Sequence, residues 1–361
     1  MTFAASSHRI GHRVETGLKA GIVSAVLALP VALQKRLAGR PIVLDGLTLD
    51  PQVQLLLRLQ RLARVPVPDT VGPVAGRSLA DDQARIMGGD QPVGVVVDRT
   101  VADLPARVYV PTALAASSEP RPTMVFFHGG GFFLGGLESH DAACRMLARE
   151  SGVQVIAVDY RLAPEDPFPA AYDDAVAAYT WVVEHAEDLR VDTARLAVGG
   201  DSAGGNLSAV VALHAARVGL PLAFQLLIYP ATDPSTPSES KRLFADGFYL
   251  TQSFMDLANE CYVPDVAGRV DPRVAPLRAD IPTGLAPAHI ATAGFDPLRD
   301  EGEAYGRKLA EAGVVVEVRR HDGLIHGFLN WVERGHTVRA ANLELAAALA
   351  TGLKASLDSP R

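Results

Sequence analysis

Ser202 lies in the box Gly200-Asp201-Ser202-Ala203-Gly204-Gly205, directly after the apolar run Arg195-Leu196-Ala197-Val198-Gly199. The run reads as a buried strand, and an alanine-rich stretch to about Arg217 reads as a helix. A serine squeezed into a strand-to-helix turn takes a strained backbone, and its small neighbours leave room for that turn. The chemistry such a hydroxyl can do is acyl transfer. It is a weak nucleophile by itself and needs a base, and the base needs an acid to orient it.

In this strand-turn-helix setting the acid and then the histidine follow the serine along the chain. Five histidines lie beyond Ser202: His214, His289, His321, His326 and His336. His214 falls in the helix after the box and His289 in the apolar strand Ala288 to Ala293. His326 stands between glycines in a loop after the strand Val314 to Arg319, where an imidazole can reach the sheet edge. It is the favoured base, with His321 and His336 as competitors. The acid is expected after Ala288–Ala293. Asp296 occupies the turn itself, ahead of Asp300 and Glu301, which suit a helix N-terminus, and of Asp322. Because a histidine base must be neutral, activity is expected to fall below about pH 6 to 6.5.

Upstream, the short strand Thr123 to Phe127 ends in His128-Gly129-Gly130-Gly131-Phe132-Phe133. Consecutive glycines leave backbone N–H groups uncovered, so they can face a developing oxyanion, and the N–H of Ala203 would complete the hole. Phe132 and Phe133 adjoin this loop and are expected to face the substrate pocket or to serve packing alone.

The elements that must hold these residues alternate. Val93–Val101 and Ala106–Val110 open the body as an antiparallel pair. Strands at 125–127, 153–158, 195–199, 224–229, 288–293 and 314–319 then alternate with helices near 142–149, 171–187 and 302–312. That pattern predicts an α/β fold with a mostly parallel sheet flanked by helices. Pro230 to about Asp271 breaks it with Asp, Pro, Ser and aromatic residues, and reads as an insertion at about 231–271, after the sixth strand. Residues 1–88 read as an N-terminal cap and linker, and 89–361 as the catalytic domain. Within the cap, Asp50-Pro51 starts a helix whose Leu55, Leu56, Leu59, Leu62 and Ala63 form an apolar stripe, with Arg58, Arg61 and Arg64 off it. Pro66, Pro68, Gly72-Pro73 and Gly76 read as a linker before a short helix, Leu79 to Met87. The chain shows no repeats and no low-complexity segment.

Together, His128-Gly129-Gly130-Gly131, the Gly200–Gly205 box, Asp296-Pro297-Leu298 and His326-Gly327-Phe328 resemble the hormone-sensitive-lipase-like (bacterial family IV) esterases of the α/β-hydrolase superfamily. Asp159-Tyr160-Arg161-Leu162-Ala163-Pro164-Glu165 matches a further family segment. The resemblance runs from about Gln91 to the C-terminus. It implies the α/β-hydrolase fold, Ser202 as nucleophile, His326 as base, Asp296 as orienting acid, and Gly129, Gly130 and Ala203 as oxyanion donors. It further implies hydrolysis of short- to medium-chain acyl esters, and dimers formed through an edge strand. An amidase or deacetylase on a special substrate and a membrane-docked lipid esterase are the alternatives. A non-catalytic receptor on this scaffold is disfavoured, since a candidate for every catalytic role is present.

At 361 residues and 48% hydrophobic content the chain can bury one large core. Cys144 and Cys261 offer no disulfide framework and no metal spacing. No phosphate loop, dinucleotide fingerprint or metal cluster is visible, so no cofactor is expected. The net charge of −7 argues against nucleic acid. It is unevenly spread. Residues 1–65 carry nine basic side chains (Arg9, Arg13, Lys19, Lys35, Arg36, Arg40, Arg58, Arg61, Arg64) against Glu15, Asp45 and Asp50, a net +6 that leaves −13 elsewhere. A basic cap suits an anionic lipid surface and equally suits attraction to the acidic body. Ala20 to Leu33 is apolar but too short to span a bilayer, and Pro30 interrupts it. A cap or interfacial helix is expected rather than a secretory signal, in a cytoplasmic enzyme with membrane association of the cap left open.

Overall fold

In a computed structural model of the chain, residues 20–67, 70–332 and 334–358 are described. Arg9, Arg13, Lys19 and Pro68, which entered the reading of the cap, lie outside them. The β-branched and aromatic runs form one eight-stranded sheet: β1 Val95–Val101, β2 Leu104–Val110, β3 Arg121–Phe127, β4 Gln154–Val158, β5 Val191–Asp201, β6 Phe224–Ile228, β7 Ala288–Phe295 and β8 Val316–Ile325. Their spatial order is β8-β7-β6-β5-β3-β4-β2-β1. β1 and β2 pair antiparallel, as does β2 with β4, and every other neighbouring pair is parallel.

Strands covered on both faces should read as near-continuous apolar runs, and the second half of β3, Met124–Phe127, does. Val125 and Phe127 pack into the core beneath helices Ala170–Glu184, Ala203–Val218 and Arg299–Glu311. Met124 and Phe126 pack on the opposite face, beneath helices Leu137–Ser151 and His336–Asp358. Burying a side chain of this size contributes roughly 1.5–3 kcal/mol, so the doubly covered central strands give the strand ends a firm base. The terminal helix His336–Asp358 was not anticipated from the sequence; its Val338, Ala341, Leu345 and Leu349 are buried against the sheet.

Four strands end at informative residues. β3 ends at Phe127, β5 at Asp201, β7 at Phe295 and β8 at Ile325. His128, Ser202, Asp296 and His326 are therefore each the first residue past a strand's carboxyl end, the edge where open α/β sheets place their ligands.

Above this edge lie two cap pieces. The N-terminal piece contains helices Ala20–Leu27, Val31–Ala38, Pro51–Leu62 and Pro73–Gly88. The insertion after β6 contains helices Glu239–Leu243 and Gln252–Tyr262. Asp50 caps helix Pro51–Leu62 as expected, its carboxylate accepting from the N–H groups of Gln52 (2.8 Å) and Val53 (3.1 Å). The predicted leucine stripe holds only in part. Leu55 and Leu56 are buried, joined by Val53 and Leu57, but Leu62 projects to solvent because the helix outruns the body that covers its first two turns. The expected linker before Leu79 is also shorter than the sequence suggested: Pro73 occupies the first helical turn, where its fixed φ is favourable, and Gly76 is buried inside the helix.

Buried glutamines fasten the cap. Gln34 donates to the carbonyls of Leu27 and Leu29, both at 2.7 Å. Gln52 donates to Gln34 Oε1 (2.7 Å) and accepts from the N–H of His336 (2.8 Å). Gln54 donates to the carbonyls of Ala38 and Arg40 and accepts from the N–H of Ile42. These bonds satisfy helix-end groups that burial would otherwise leave costly.

Candidate active site

The turn after β5 is strained as the box predicts. Ser202 has φ +55° and ψ −116°, a conformation that costs a non-glycine residue on the order of 1–3 kcal/mol and persists only where its surroundings over-determine it. They do so here. The N–H of Ser202 donates to the carbonyl of Ile228 at 2.9 Å, and helix Ala203–Val218 starts at the next residue. A Cβ at Gly204 would overlap the carbonyl oxygen of Phe127, so β3 and the helix can meet this closely only through glycine.

The tertiary structure brings the three expected side chains into one chain of hydrogen bonds. His326 Nε2 lies 2.9 Å from Ser202 Oγ, and His326 Nδ1 lies 2.8 Å from Asp296 Oδ2. Asp296 is fully buried, and its other oxygen accepts from the N–H of Leu298 at 2.8 Å. With Asp296 accepting at Nδ1, the imidazole presents Nε2 to the serine hydroxyl as an acceptor. The ring of Tyr229 packs against His326 with centroids 4.6 Å apart.

The competing residues lie elsewhere. His214 is in helix Ala203–Val218, His289 pairs with Glu317 at 3.2 Å, and His336 begins the terminal helix. His321 lies within β8, which runs farther than the sequence suggested, with its ring against Phe328. Burial pushes the His321 imidazole down to about 4. Glu301 binds the N–H groups of Thr232 and Asp233, and Asp300 that of Ser240.

At the glycine loop two sequence readings are corrected. The Gly129 N–H donates to Asp201 Oδ1 at 2.9 Å, so it is already committed to a carboxylate and is not free to meet an oxyanion. All three glycines line the cavity beside Ser202, and of them Gly129 has its N–H taken by Asp201. Gly130 adopts φ +118° and Gly131 φ +62°, left-handed values that turn the loop over. Phe132 and Phe133 do not line the cavity. Phe132 stacks on Tyr262 at 3.8 Å, and Phe133 is fully buried against Phe254. Leu134, one residue further, takes the lining position.

Behind the loop is a buried polar cluster that sequence reading missed. His140 Nε2 sits 3.1 Å from Asp201 Oδ1, the Ser139 hydroxyl is 2.8 Å from His140 Nδ1, and Asn330 Nδ2 is 3.1 Å from His140 Nε2. The Tyr229 hydroxyl donates to Asp201 Oδ2 at 3.3 Å. Burial works to raise the Asp201 carboxyl, but His140 and the Gly129 N–H outweigh it and hold the group below the usual carboxylate range. His128 is buried, stacked on Tyr160 at 4.2 Å, and bonded through Nδ1 to the Gly129 carbonyl. Burial pushes its imidazole down to about 3, with His140 adding to the effect, so it stays neutral. Arg77 ties the cap to the same loop: it donates to the carbonyls of Phe133 and Ala163, both at 3.0 Å, and grips Glu165 with two hydrogen bonds. Asp201 was legible as part of the serine box; His140, Arg77 and Asn330 carried no local pattern.

A cavity of about 460 Å³ opens over Ser202. The cap supplies Leu57, Arg61 and Met87 to its wall, the insertion Tyr249 and Phe254, and the loop after His326 supplies Trp331. Among the described residues no cluster of His, Cys, Asp and Glu has the arrangement of a metal site.

A family model described as an alpha/beta hydrolase fold matches residues 124–330. The chain is 45% identical over 326 residues to the carboxylic ester hydrolase LipN of Mycobacterium tuberculosis, covering 86% of this chain and 85% of that one. It is 37% identical over 299 residues to an ethyl acetate hydrolase of Pseudomonas putida, covering 78% and 92%. Among solved structures, an ester hydrolase from the metagenome of Lake Arreo superposes with a TM-score of 0.80 at 42% identity, over 85% of this chain and 99% of that one. A thermostable esterase of Pseudomonas putida does so with a TM-score of 0.80 at 37% identity, over 84% and 98%. A strained serine past the fifth strand, a histidine and aspartate past the eighth and seventh, and this kinship over most of the chain agree: the protein is a carboxylic ester hydrolase of the α/β-hydrolase fold, in its hormone-sensitive-lipase-like branch.

Proposed function

We propose that the protein hydrolyses short- to medium-chain acyl esters through an acyl-enzyme on Ser202. The observation that carries this reading is the continuous hydrogen-bond chain from Ser202 Oγ through both nitrogens of His326 to the buried Asp296. As Oγ attacks the ester carbonyl carbon, His326 Nε2 takes its proton, and Asp296 stabilises the imidazolium that results. The negative charge arriving on the carbonyl oxygen is met by the N–H groups of Gly130, Gly131 and Ala203, each worth roughly 3 kcal/mol in such chemistry. Collapse of the tetrahedral adduct breaks the bond to the alcohol oxygen, which leaves with the proton from Nε2. Water then repeats the sequence on the acyl-serine, releasing the acid and restoring the hydroxyl.

The chain-length preference draws support from the cavity, whose 460 Å³ lies toward the lower end of the roughly 300–1,000 Å³ usual for ligand sites. A relative carries the name ethyl acetate hydrolase, a short ester's hydrolase. The Lake Arreo enzyme was solved with a bipyridine phosphonate derivative, so phosphonates are apt probes here too. Ser202→Ala is expected to lower p-nitrophenyl butyrate turnover by about 10⁴-fold or more and to prevent labelling by a p-nitrophenyl phosphonate, read by mass spectrometry. Retention of most activity by that variant would remove the serine from the mechanism. An acyl series with its optimum at sixteen or more carbons would overturn the chain-length reading.

A further inference from the structure

The first two cap helices bury little. Helix Val31–Ala38 hides only Gln34 and Ala38, leaving Val31 52% exposed together with Leu33 and Leu37. Ile22 on the preceding helix is 56% exposed. The two helices meet at a 113° bend, and among the described residues no single helix is long and apolar enough to cross a membrane. The exposed face continues onto helix Pro51–Leu62, because Arg58 reaches across to the carbonyl of Leu37 at 3.0 Å. Leu62, one turn further on, is 71% exposed, and Val65, Val67, Val71 and Val74 follow it into solvent. Monomeric proteins seldom leave aliphatic side chains bare over so continuous a path without an occupant.

Charge identifies the occupant. Lys35, Arg36, Arg40, Arg58, Arg61 and Arg64 belong to this face, and no carboxylate among the described residues forms an ion pair with them. Of the nearby acids, Asp246 of the insertion lines the same cavity, and the two within the cap stretch itself are otherwise engaged. Asp45 pairs with Arg299 at 2.8 Å, while Asp50 caps its helix and accepts from Thr337. The rest of the chain is strongly acidic, so the basic charge is gathered where the aliphatics are. Guanidinium and ammonium groups interleaved with aliphatic side chains suit a layer of lipid phosphates above acyl chains.

The face is also the rim of the cavity: Arg61, Arg64, Val65, Pro66 and Val67 line its mouth. We propose that the cap face running from Ile22 through Leu37 to Leu62–Val67 docks on an anionic lipid surface, setting the cavity mouth against the acyl layer so that membrane-dissolved esters enter without crossing water. This rests on the esterase reading for its purpose, but binding and hydrolysis are measured separately.

The test uses the full chain and vesicles of phosphatidylcholine alone or mixed with phosphatidylglycerol, with co-sedimentation read alongside hydrolysis of p-nitrophenyl butyrate in solution. Two variants are compared: K35E/R36E, and L33S/L37S/L62S, none of whose positions lines the cavity. The wild-type chain is expected to bind the mixed vesicles at least about tenfold better than neutral ones, and to release them at high salt. Each variant is expected to lose about tenfold of that binding and keep its turnover of the soluble ester. Equal binding to both vesicle types, or variants that bind like the wild type, would overturn the proposal. So would a dimer in light scattering that L33S/L37S/L62S dissolves while vesicles bind neither form, since a second copy would then cover the face. A wild-type chain that binds vesicles yet hydrolyses no soluble ester would count against the esterase reading and leave the docking intact.

Discussion

The strand-end platform and the N-terminal cap are covered to very different extents. On the platform, Ser202 keeps a strained backbone because a doubly covered sheet, a helix start and glycine contacts leave it no alternative. The cap buries Val53, Leu56, Leu57 and Met87 in the core and is fastened by glutamine side chains and Arg77, but the outer turns of its helices remain bare. Chemistry with tolerances of a few tenths of an ångström needs the first kind of support. A wall that admits substrates, or a face that meets a surface, tolerates the second. The division predicts that substitutions on the platform act on turnover and stability together, whereas those on the cap act on which ester is accepted.

The sharpest way to break this contrast is Gly204→Ala against Leu62→Ala. The first forces a methyl into the Phe127 carbonyl and is expected to cost more than about 4 kcal/mol or abolish folding. The second removes solvent-exposed methyls and should stay within about 0.5 kcal/mol. Urea denaturation of both variants decides it; similar midpoints would erase the distinction. Next in size, Asp201→Asn removes the charge that holds the Gly129 N–H and faces His140. Charge-assisted hydrogen bonds of this kind contribute about 1.5–3 kcal/mol. A fall in kcat of about tenfold or more is expected, with KM little changed and the melting temperature lowered; unaltered kcat would show that the loop is positioned without it.

A third test concerns pH. His321 is buried and neutral in the folded chain, with its pKa pushed down to about 4 from 6.5. The unfolded chain binds the extra proton first as pH falls below 6.5, so stability is lost between pH 6.5 and 4. His321→Phe should recover about 2 kcal/mol at pH 4.5 relative to its effect at pH 7.5, seen as a flatter dependence of the urea midpoint on pH. An unchanged slope would assign the acid sensitivity elsewhere, with His128 the next candidate. Smallest is Phe254→Ala in the insertion, which widens the cavity wall. The acyl-chain optimum is expected to lengthen, with the kcat/KM ratio of octanoate to butyrate ester rising about tenfold, alongside some loss of stability because Phe254 packs on buried Phe133.

Much of this site is legible in the sequence because its parts are local. The serine turn needs small residues at fixed offsets, and the acid and base each stand immediately past an apolar strand. Those constraints are written within a few residues of Ser202, Asp296 and His326. The glycine loop was legible as a loop but not in its details. Choosing between Gly129, Gly130 and Gly131 as donors depends on Asp201, which stands far along the chain and takes the first amide for itself. Phe132 and Phe133 were misplaced for the same reason: their partners Tyr262 and Phe254 come from the insertion. Helix His336–Asp358 escaped notice because its buried face follows from which side of the sheet it covers, and Leu62 looked like core because its neighbours in the stripe are.

The amino-acid sequence by itself determined the class of chemistry, the alternation of strands and helices, and the identity of the three residues that share the hydrogen-bond chain. Each is set by interactions within one turn or one strand, and so by residue types close together along the chain. Only the tertiary structure decided that Asp201 takes the Gly129 amide, which side chains wall the cavity, and that basic and aliphatic residues of the cap share one exposed face. Those outcomes depend on contacts between segments scores of residues apart, and no local pattern encodes where such segments meet.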